Sequence, residues 1–245
     1  MSATRWTFEW FFLVAALAAA AVYARSARDD RPSAKQALLF GLGLFLIAAS
    51  LNSPLETIAA KRLLLVHLLQ NALIADIAPL LLLLGLTPRM RDTLSAHGAH
   101  RLRARYTLPA WLIAWYATHA ANFYDYALRN SWPLNVEHAV LIAGGLLFWW
   151  PLVSGRLHAP AALAYLGVGF VGSAFLGLAL IFSSRPIYSF YETTPRLWGL
   201  SPVRDQNLGG ILMNGEQTIV FLLAIGFYVL KLLKEEDAVQ VPSRT

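Results

Sequence analysis

The sequence predicts an all-α membrane protein, a polytopic bundle of seven transmembrane helices in a single domain, residues 1–245. Of the 245 residues, 57% are hydrophobic and only 14% are charged, an apolar excess that one soluble core does not need. The apolar residues also fall in runs of roughly 20, the length at which a helix crosses a bilayer. The predicted spans are Trp6 to Ala24, Ala34 to Leu51, Arg62 to Leu86, Leu108 to Leu128, Leu134 to Val153, Pro160 to Phe182 and Gly209 to Leu233.

Loop charges predict that the N-terminus lies outside and the C-terminus inside. Short cytoplasmic loops are enriched in Lys and Arg, and this orientation places 13 of the 20 basic residues in inner loops. They are Arg25, Arg28, Arg31, Lys35, Arg89, Arg91, Arg101, Arg103, Arg105, Arg156, Lys231, Lys234 and Arg244. Because only Arg5 precedes the first span while Arg25, Arg28 and Arg31 follow it, we expect a retained anchor and not a cleaved signal peptide.

Composition and motifs exclude several function classes. The net charge of +6 does not indicate nucleic acid as a partner, since no basic stretch is interleaved with exposed aromatic residues. No nucleophile elbow, phosphate-binding loop or dinucleotide fingerprint is present, so we do not expect an enzyme. The chain has no cysteine and three methionines, which leaves nitrogen and oxygen as the main metal donors.

Three connecting segments carry structural predictions. The run from Asn52 to Glu56 predicts a short interfacial helix on the outer side, because Ser53 can cap it, Pro54 suits its first turn and Glu56 lies three positions after the serine, as in a capping box. The arginine-rich segment from Thr87 to Thr107 is expected against anionic headgroups on the inner side. The segment from Ser183 to Leu208 is rich in aromatic residues and prolines, so we expect a lid over the outer helix ends.

Three histidines in three different spans are expected near the outer face. By the helical rise of about 1.5 Å per residue, His67 lies roughly 7 Å, His119 about 9 Å and His138 roughly 6 Å deep. Neutral imidazole is the commonest ligand for transition metals, and three such rings can build a copper or zinc site. The alternative is that the rings only hydrogen-bond between helices, since no pair has the spacing of a local metal motif. Intramembrane ionisable groups usually face a functional interior, which favours the first interpretation.

Polar residues near the histidines are candidates for an outer layer that would fix the orientation of each ring. Gln70 and Asn71 follow His67 at i+3 and i+4 and so share its helix face. The other candidates on these spans are Asn122, Asp125 and Glu137.

Asp76 has no assigned role. It lies nine residues after His67, on the opposite side of the same helix and near mid-membrane. Pro79 follows it and is expected to kink the span, because proline removes a backbone donor. The carbonyl groups freed by the kink are expected to hydrogen-bond a protonated Asp76.

Several ordered motifs resemble the CtaG family of cytochrome c oxidase assembly factors, over roughly Leu63 to Met213. They are His67 to Asn71 with Ala78 to Leu81 and Leu84 to Pro88; His119 with Tyr124 to Leu128, Glu137-His138 and Gly145 to Pro151; and Pro186 to Tyr188 with Asp205 to Gly210. The resemblance implies a multi-pass protein of the bacterial plasma membrane that assists haem-copper oxidase assembly, with a role in copper delivery. It implies functional positions at His67, His119, Glu137, His138 and Asp205, the last as a further outer-layer residue.

The chain departs from the family pattern at three places. Asn71 stands where the family usually has a second histidine, Thr118 replaces a tryptophan, and Asn214 to Gln217 replaces a Trp-Val-Pro-Gly-Gly-like ending. One potential metal ligand is therefore missing.

The leading hypothesis is an assembly factor that binds copper transiently through the three histidines. Its expected partners are the lipid bilayer and an oxidase subunit or a copper donor protein, with zinc as the alternative metal. A second hypothesis is an integral electron carrier in which two of the histidines ligate a haem. A third is a structural membrane scaffold whose polar outer cluster binds a partner without metal.

Overall fold

The computed structural model describes residues 5–240, with side chains for residues 5–237, and every regular element in that part is helical. The α-helices found there are α1 Trp10–Asp29, α2 Ala34–Leu51, α3 Pro54–Lys61, α4 Leu64–Ala72, α5 Ala78–Leu84, α6 Pro88–Ala96, α7 Ala104–Thr118, α8 Ala121–Arg129, α9 Ser131–Val153, α10 Ala159–Phe182 and α11 Pro202–Gln240. A π-helical segment, Leu73–Ile77, joins α4 to α5. Arg244, counted above among the inner basic residues, lies outside the described residues.

The all-α class is confirmed, and within residues 5–240 six helical runs are long and apolar enough to cross a membrane. They are Trp10–Asp29, Ala34–Leu51, Leu64–Leu84, Ser131–Val153, Ala159–Phe182 and Pro202–Asp237. Each overlaps one of the predicted spans. The last helix begins earlier than predicted, so Asp205 lies in its first turn and not in the preceding loop.

The remaining predicted span, Leu108 to Leu128, was wrong as a continuous helix, because the chain breaks at His119 and Ala120. Thr118 donates its hydroxyl to the Ala114 carbonyl at 2.8 Å, and the His119 ring bonds to the Trp115 carbonyl at 2.8 Å. Both side chains thus bond to carbonyls of the last turn of α7, where the helix ends, and the His119 N–H also donates to the Trp115 carbonyl at 3.3 Å. The seven-span topology stays a prediction.

The predicted interfacial helix is present as α3. The Ser53 hydroxyl accepts the Leu55 N–H at 3.2 Å, and Pro54 occupies the first helical position. Glu56 departs from the capping pattern, because its side chain is buried and accepts a hydrogen bond from Gln70 on α4. The helix α3 therefore packs against α4, and Glu56 contributes to this contact instead of capping its own helix.

The basic loops meet at one end of the bundle. Arg91 donates to the Val153 carbonyl at 2.7 Å, and Arg156 donates to the Ala99 carbonyl at 2.9 Å. At the opposite end lie α3, α8 and the segment 183–201, which pack around the histidines. The loops predicted to lie inside and the loops predicted to lie outside are therefore at opposite ends of the bundle. Which end faces outside stays a prediction.

Asp76 lies in the π-helical segment and is buried, with its Oδ1 accepting the Trp149 indole N–H at 2.7 Å. The expected bond from Asp76 to a freed backbone carbonyl is not found, since its Oδ2 has no partner among the described residues. Pro79 has no N–H to donate to the Ala75 carbonyl, four residues earlier. Gly145 of α9 packs directly over that carbonyl, where a Cβ atom would overlap it. The irregular turn therefore lets α9 approach closely and brings Trp149 within reach of Asp76.

Candidate functional site

The three predicted histidines lie in one buried region at the end of the bundle that is predicted to face outside, each 3% exposed or less. His67 comes from α4, His138 from α9, and His119 from the break after α7. The rings of His67 and His138 lie 5.9 Å apart, centre to centre. The Tyr124 ring of α8 lies 5.1 Å from His67 and 5.7 Å from His119. Two histidines are therefore direct neighbours, and Tyr124 connects them to the third.

The hydrogen bonds of His67 fix its tautomer. Tyr191 donates its hydroxyl proton to the Ala59 carbonyl at 2.6 Å, and the same hydroxyl lies 2.9 Å from His67 Nδ1. Burial raises the pKa of Tyr191, so the hydroxyl keeps its single proton. Since that proton is already donated, His67 Nδ1 must carry a hydrogen and donate it to Tyr191. His67 Nε2 is left as an unprotonated nitrogen with a free lone pair.

A hydrogen bond fixes the tautomer of His119 in the same way. Its Nδ1 lies 2.8 Å from the Trp115 carbonyl oxygen, which can only accept, so Nδ1 carries the hydrogen. Within the described part of the chain, His119 Nε2 and both ring nitrogens of His138 have no hydrogen-bond partner. Buried polar atoms without partners are rare in folded proteins and call for an explanation such as a bound ion or water.

Glu137 lies beside the histidine pair and is fully buried. Its Oε1 accepts the Asn71 side-chain N–H at 3.3 Å and lies 3.7 Å from His67 Nε2, too far for a hydrogen bond. Its Oε2 has no partner among the described residues. A carboxylate oxygen and an imidazole lone pair thus face one another across a small gap.

This gap is close to the size that a metal ion requires. Two ligand atoms that are each about 2.0–2.2 Å from one ion lie roughly 3.4–3.6 Å apart in tetrahedral or trigonal geometry, against 3.7 Å between His67 and Glu137. The donors are nitrogen and oxygen, which suit copper(II) or zinc. As the side chains stand, however, no three His, Asp or Glu residues in the described part of the chain form a group that could hold a metal ion.

The predicted outer-layer residues divide into two sets. Asn71 contacts Glu137 and so lies beside the pair. Gln70 is directed away from the rings and donates to Glu56 and to the Ser50 carbonyl, the latter at 2.8 Å. Asn122 is exposed on α8.

Two further predicted residues hold the surrounding structure. Asp125 accepts the Ser189 N–H at 3.0 Å and the Phe190 N–H at 3.1 Å, which fixes the segment 183–201 over the site. Asp205 is fully buried and accepts the first two N–H groups of α4, at 3.0 and 2.9 Å, together with an Arg196 N–H. It therefore caps the helix that carries His67.

The segment 183–201, which belongs to the predicted lid, places two hydrogen-bonded tyrosines over the histidines. Tyr188 donates its hydroxyl to the His119 carbonyl at 3.0 Å, and Tyr191 contacts His67. Sequence reasoning assigned no role to either tyrosine or to Tyr124, and it assigned Glu56 only to the capping pattern of α3. The aromatic residues of the segment 183–201 were visible in the sequence, but their partners come from other helices.

The fold and site define a class: a multi-pass helical membrane protein with a buried histidine–carboxylate cluster near one end of the helical bundle. The model of the family described as cytochrome c oxidase caa3 assembly factor (Caa3_CtaG) matches residues 14–235. The chain belongs to this family, as its motifs predicted. No curated protein and no solved structure matches the chain.

Proposed function

We propose that this protein assists assembly of a haem-copper oxidase by holding a copper ion transiently at the histidine cluster and passing it to an oxidase subunit. Family membership supports the assembly role. The observation that supports copper is the set of buried ring nitrogens on His67, His119 and His138 that have no partner in the described part of the chain. Neutral imidazoles with free lone pairs are the form that binds copper.

In this proposal His67 Nε2 and a nitrogen of His138 hold the ion together with Glu137. Their spacing supports this assignment, because the 3.7 Å gap needs to close by only a few tenths of an ångström. His119 supplies a third nitrogen after a small movement of α8, whose Tyr124 ring lies between His119 and His67. The copper ion is the cargo, and the protein's residues would orient the ion and exclude water from it.

An incomplete ligand set suits a carrier. A closed cage of four rigid ligands would retain its ion, whereas delivery needs a weaker site. Asn71 donates to Glu137 where the family usually has a histidine, so this chain has one fewer nitrogen available. We infer that this chain binds copper less tightly than a relative with that histidine. We also infer that the protein lies in a plasma membrane, which it crosses seven times with its N-terminus outside.

The haem hypothesis has less support. A haem needs a flat space between its two axial rings, but His67 Nε2 faces Glu137 at 3.7 Å and the ring lies against Tyr124. His138 is likewise packed against Phe12, with 6.2 Å between ring centres. No slot for a macrocycle separates these rings.

Copper uptake tests the proposal. Purified wild type, incubated with micromolar copper and separated from free metal, is expected to retain about one ion per chain. The variants His67→Ala and His138→Ala should retain less than half as much and should not support oxidase activity in cells that lack the wild-type protein. The control His97→Ala changes an exposed histidine at the opposite end and should behave as wild type.

Two outcomes would contradict the proposal. If the purified wild type takes up neither copper nor zinc, the proposed metal binding is wrong. A triple variant of His67, His119 and His138 that folds and still supports oxidase assembly would favour the scaffold hypothesis, in which the histidines serve only stability or association.

A further inference from the structure

A cavity lies between α5, α9 and α11 at the basic end of the bundle, opposite the histidines. It has a volume of about 500 Å³, within the range of pockets that hold small molecules and cofactors. Its wall is mainly apolar and includes Leu84, Trp149 and Phe227. Leu84 and Phe227 are also 42% and 63% exposed. Because large apolar side chains exposed on spanning helices face lipid, the cavity is accessible from the hydrocarbon region of a bilayer.

Two basic residues belong to the wall of the same cavity, Arg91 of α6 and Lys231 of α11. No Asp or Glu of the described part of the chain lies in this wall. The cavity therefore combines an apolar surface with two positive charges. Its ligand is expected to have a long apolar part and an anionic group, since only such a molecule complements both features.

Hydrogen bonds place both basic residues around the same end of α9. Arg91 donates an Nη1–H to the Val153 carbonyl at 2.7 Å. Tyr228 of α11 donates its hydroxyl to the neighbouring Leu152 carbonyl at 3.0 Å. Lys231 follows Tyr228 by three residues and so lies on the same face of α11, with its ammonium nitrogen 5.9 Å from the centre of the Tyr228 ring. The C-terminal end of α9 thus fixes the guanidinium directly and the ammonium through Tyr228.

The charges of both residues are available to an anion. Within the described residues Arg91 forms no ion pair, and its hydrogen bonds go to the backbone carbonyls of Val153 and Thr87. Lys231 has an ion-pair partner in Glu235 at 3.9 Å, but their side chains are 40% and 53% exposed. An exposed pair of this kind contributes little free energy, so Lys231 can exchange it for a stronger anionic partner in the cavity.

We propose that this cavity binds one anionic phospholipid, with its phosphate between Arg91 and Lys231 and an acyl chain along the apolar wall. The inference does not depend on copper binding. Basic pockets between spanning helices recognise anionic lipid headgroups, and a guanidinium can donate two parallel hydrogen bonds to a phosphate. A zwitterionic lipid fits less well, because its own ammonium group is repelled by the two cations.

The experiment is native mass spectrometry of the detergent-solubilised full chain, titrated with dioleoylphosphatidylglycerol or with dioleoylphosphatidylcholine. One cation beside an anionic headgroup strengthens binding about fivefold, so wild type should bind one phosphatidylglycerol roughly 25-fold more tightly than phosphatidylcholine. In each of the variants Lys231→Gln and Arg91→Gln this preference should fall to about fivefold. The affinity for phosphatidylcholine should not change.

Lys234→Gln is the matched control. It removes the same charge from the same helix, but Lys234 is exposed and does not line the cavity. This variant should keep the lipid preference of wild type. Lys231→Gln keeps the test open if Arg91→Gln does not fold, because Lys231 gives up only an exposed ion pair.

A competition separates a lipid site from a phosphate site. Inorganic phosphate in large excess should not displace phosphatidylglycerol from wild type, because it has no acyl chain to occupy the apolar wall. Displacement by phosphate, or equal affinity of wild type for the two lipids, would overturn the inference. An unchanged preference in both cavity variants would also overturn it, as would an equal loss in Lys234→Gln, which would indicate attraction by the basic surface in general.

Discussion

Glu56→Gln should change how the stability of the protein depends on pH. The Glu56 carboxyl has a pKa of about 7 in the folded protein, because burial disfavours its charged form. In the unfolded chain the group has its usual pKa of 4.5. Between these two values the folded protein binds more protons than the unfolded protein does, so stability falls as the pH rises.

The size of the effect follows from the two pKa values. A rise from 4.5 to about 7 corresponds to roughly 3 kcal/mol, lost as the pH increases from about 4.5 to above 7. For a chain of 245 residues this corresponds to roughly 6 to 12 °C in the melting temperature. Glutamine keeps an oxygen that can accept from Gln70 but has no proton to lose.

The assay is thermal unfolding of both proteins in detergent at a series of pH values from 5 to 8, followed by circular dichroism. Other buried carboxyls contribute to both proteins, so the difference between the two curves isolates Glu56. We expect the variant to gain stability relative to wild type as the pH rises. Curves that stay parallel across this range would refute the assignment of a raised pKa to Glu56.

Three further substitutions and one control test individual contacts, each measured as a change in melting temperature. Tyr191→Phe removes the hydroxyl that bonds to His67 Nδ1 and to the Ala59 carbonyl and should cost about 1–3 kcal/mol; an unchanged melting temperature would contradict a stabilising role for these two hydrogen bonds. Asp205→Asn weakens the cap of α4 and should cost about 1–3 kcal/mol, and no loss would mean that the cap is dispensable. Gly145→Ala places a Cβ against the π-helical segment and should be strongly destabilising, whereas Gly226→Ala, in open space, should be neutral or stabilising.

Local sequence patterns predicted the helices well where neighbouring residues decide the structure. Ser53 and Pro54 marked the start of α3, since capping and the first turn depend only on adjacent residues. The same Ser-Pro pattern occurs at Ser201 and Pro202, where α11 begins. This pattern therefore predicts that Asp205 lies in a helix.

Contacts between distant segments could not be predicted in this way. At the helix break, the His119 carbonyl accepts the hydroxyl of Tyr188, which lies 69 residues further along the chain. Glu56 fits a local capping pattern, yet it bonds to Gln70 because α3 folds over α4. The sequence predicted that the three histidines lie near the same membrane face. The contacts of the Tyr124 ring with both His67 and His119 result from packing between helices, which the sequence does not show.

The proposed function requires that the imidazoles of this assembly factor bind copper. Electron paramagnetic resonance of the copper(II)-loaded wild type reports the ligands of the ion, because nitrogen ligands split the copper signal. We expect couplings from at least two imidazole nitrogens, reduced when His67 or His138 is replaced by alanine. A spectrum with oxygen ligands alone, or one unchanged in both variants, would contradict the claim.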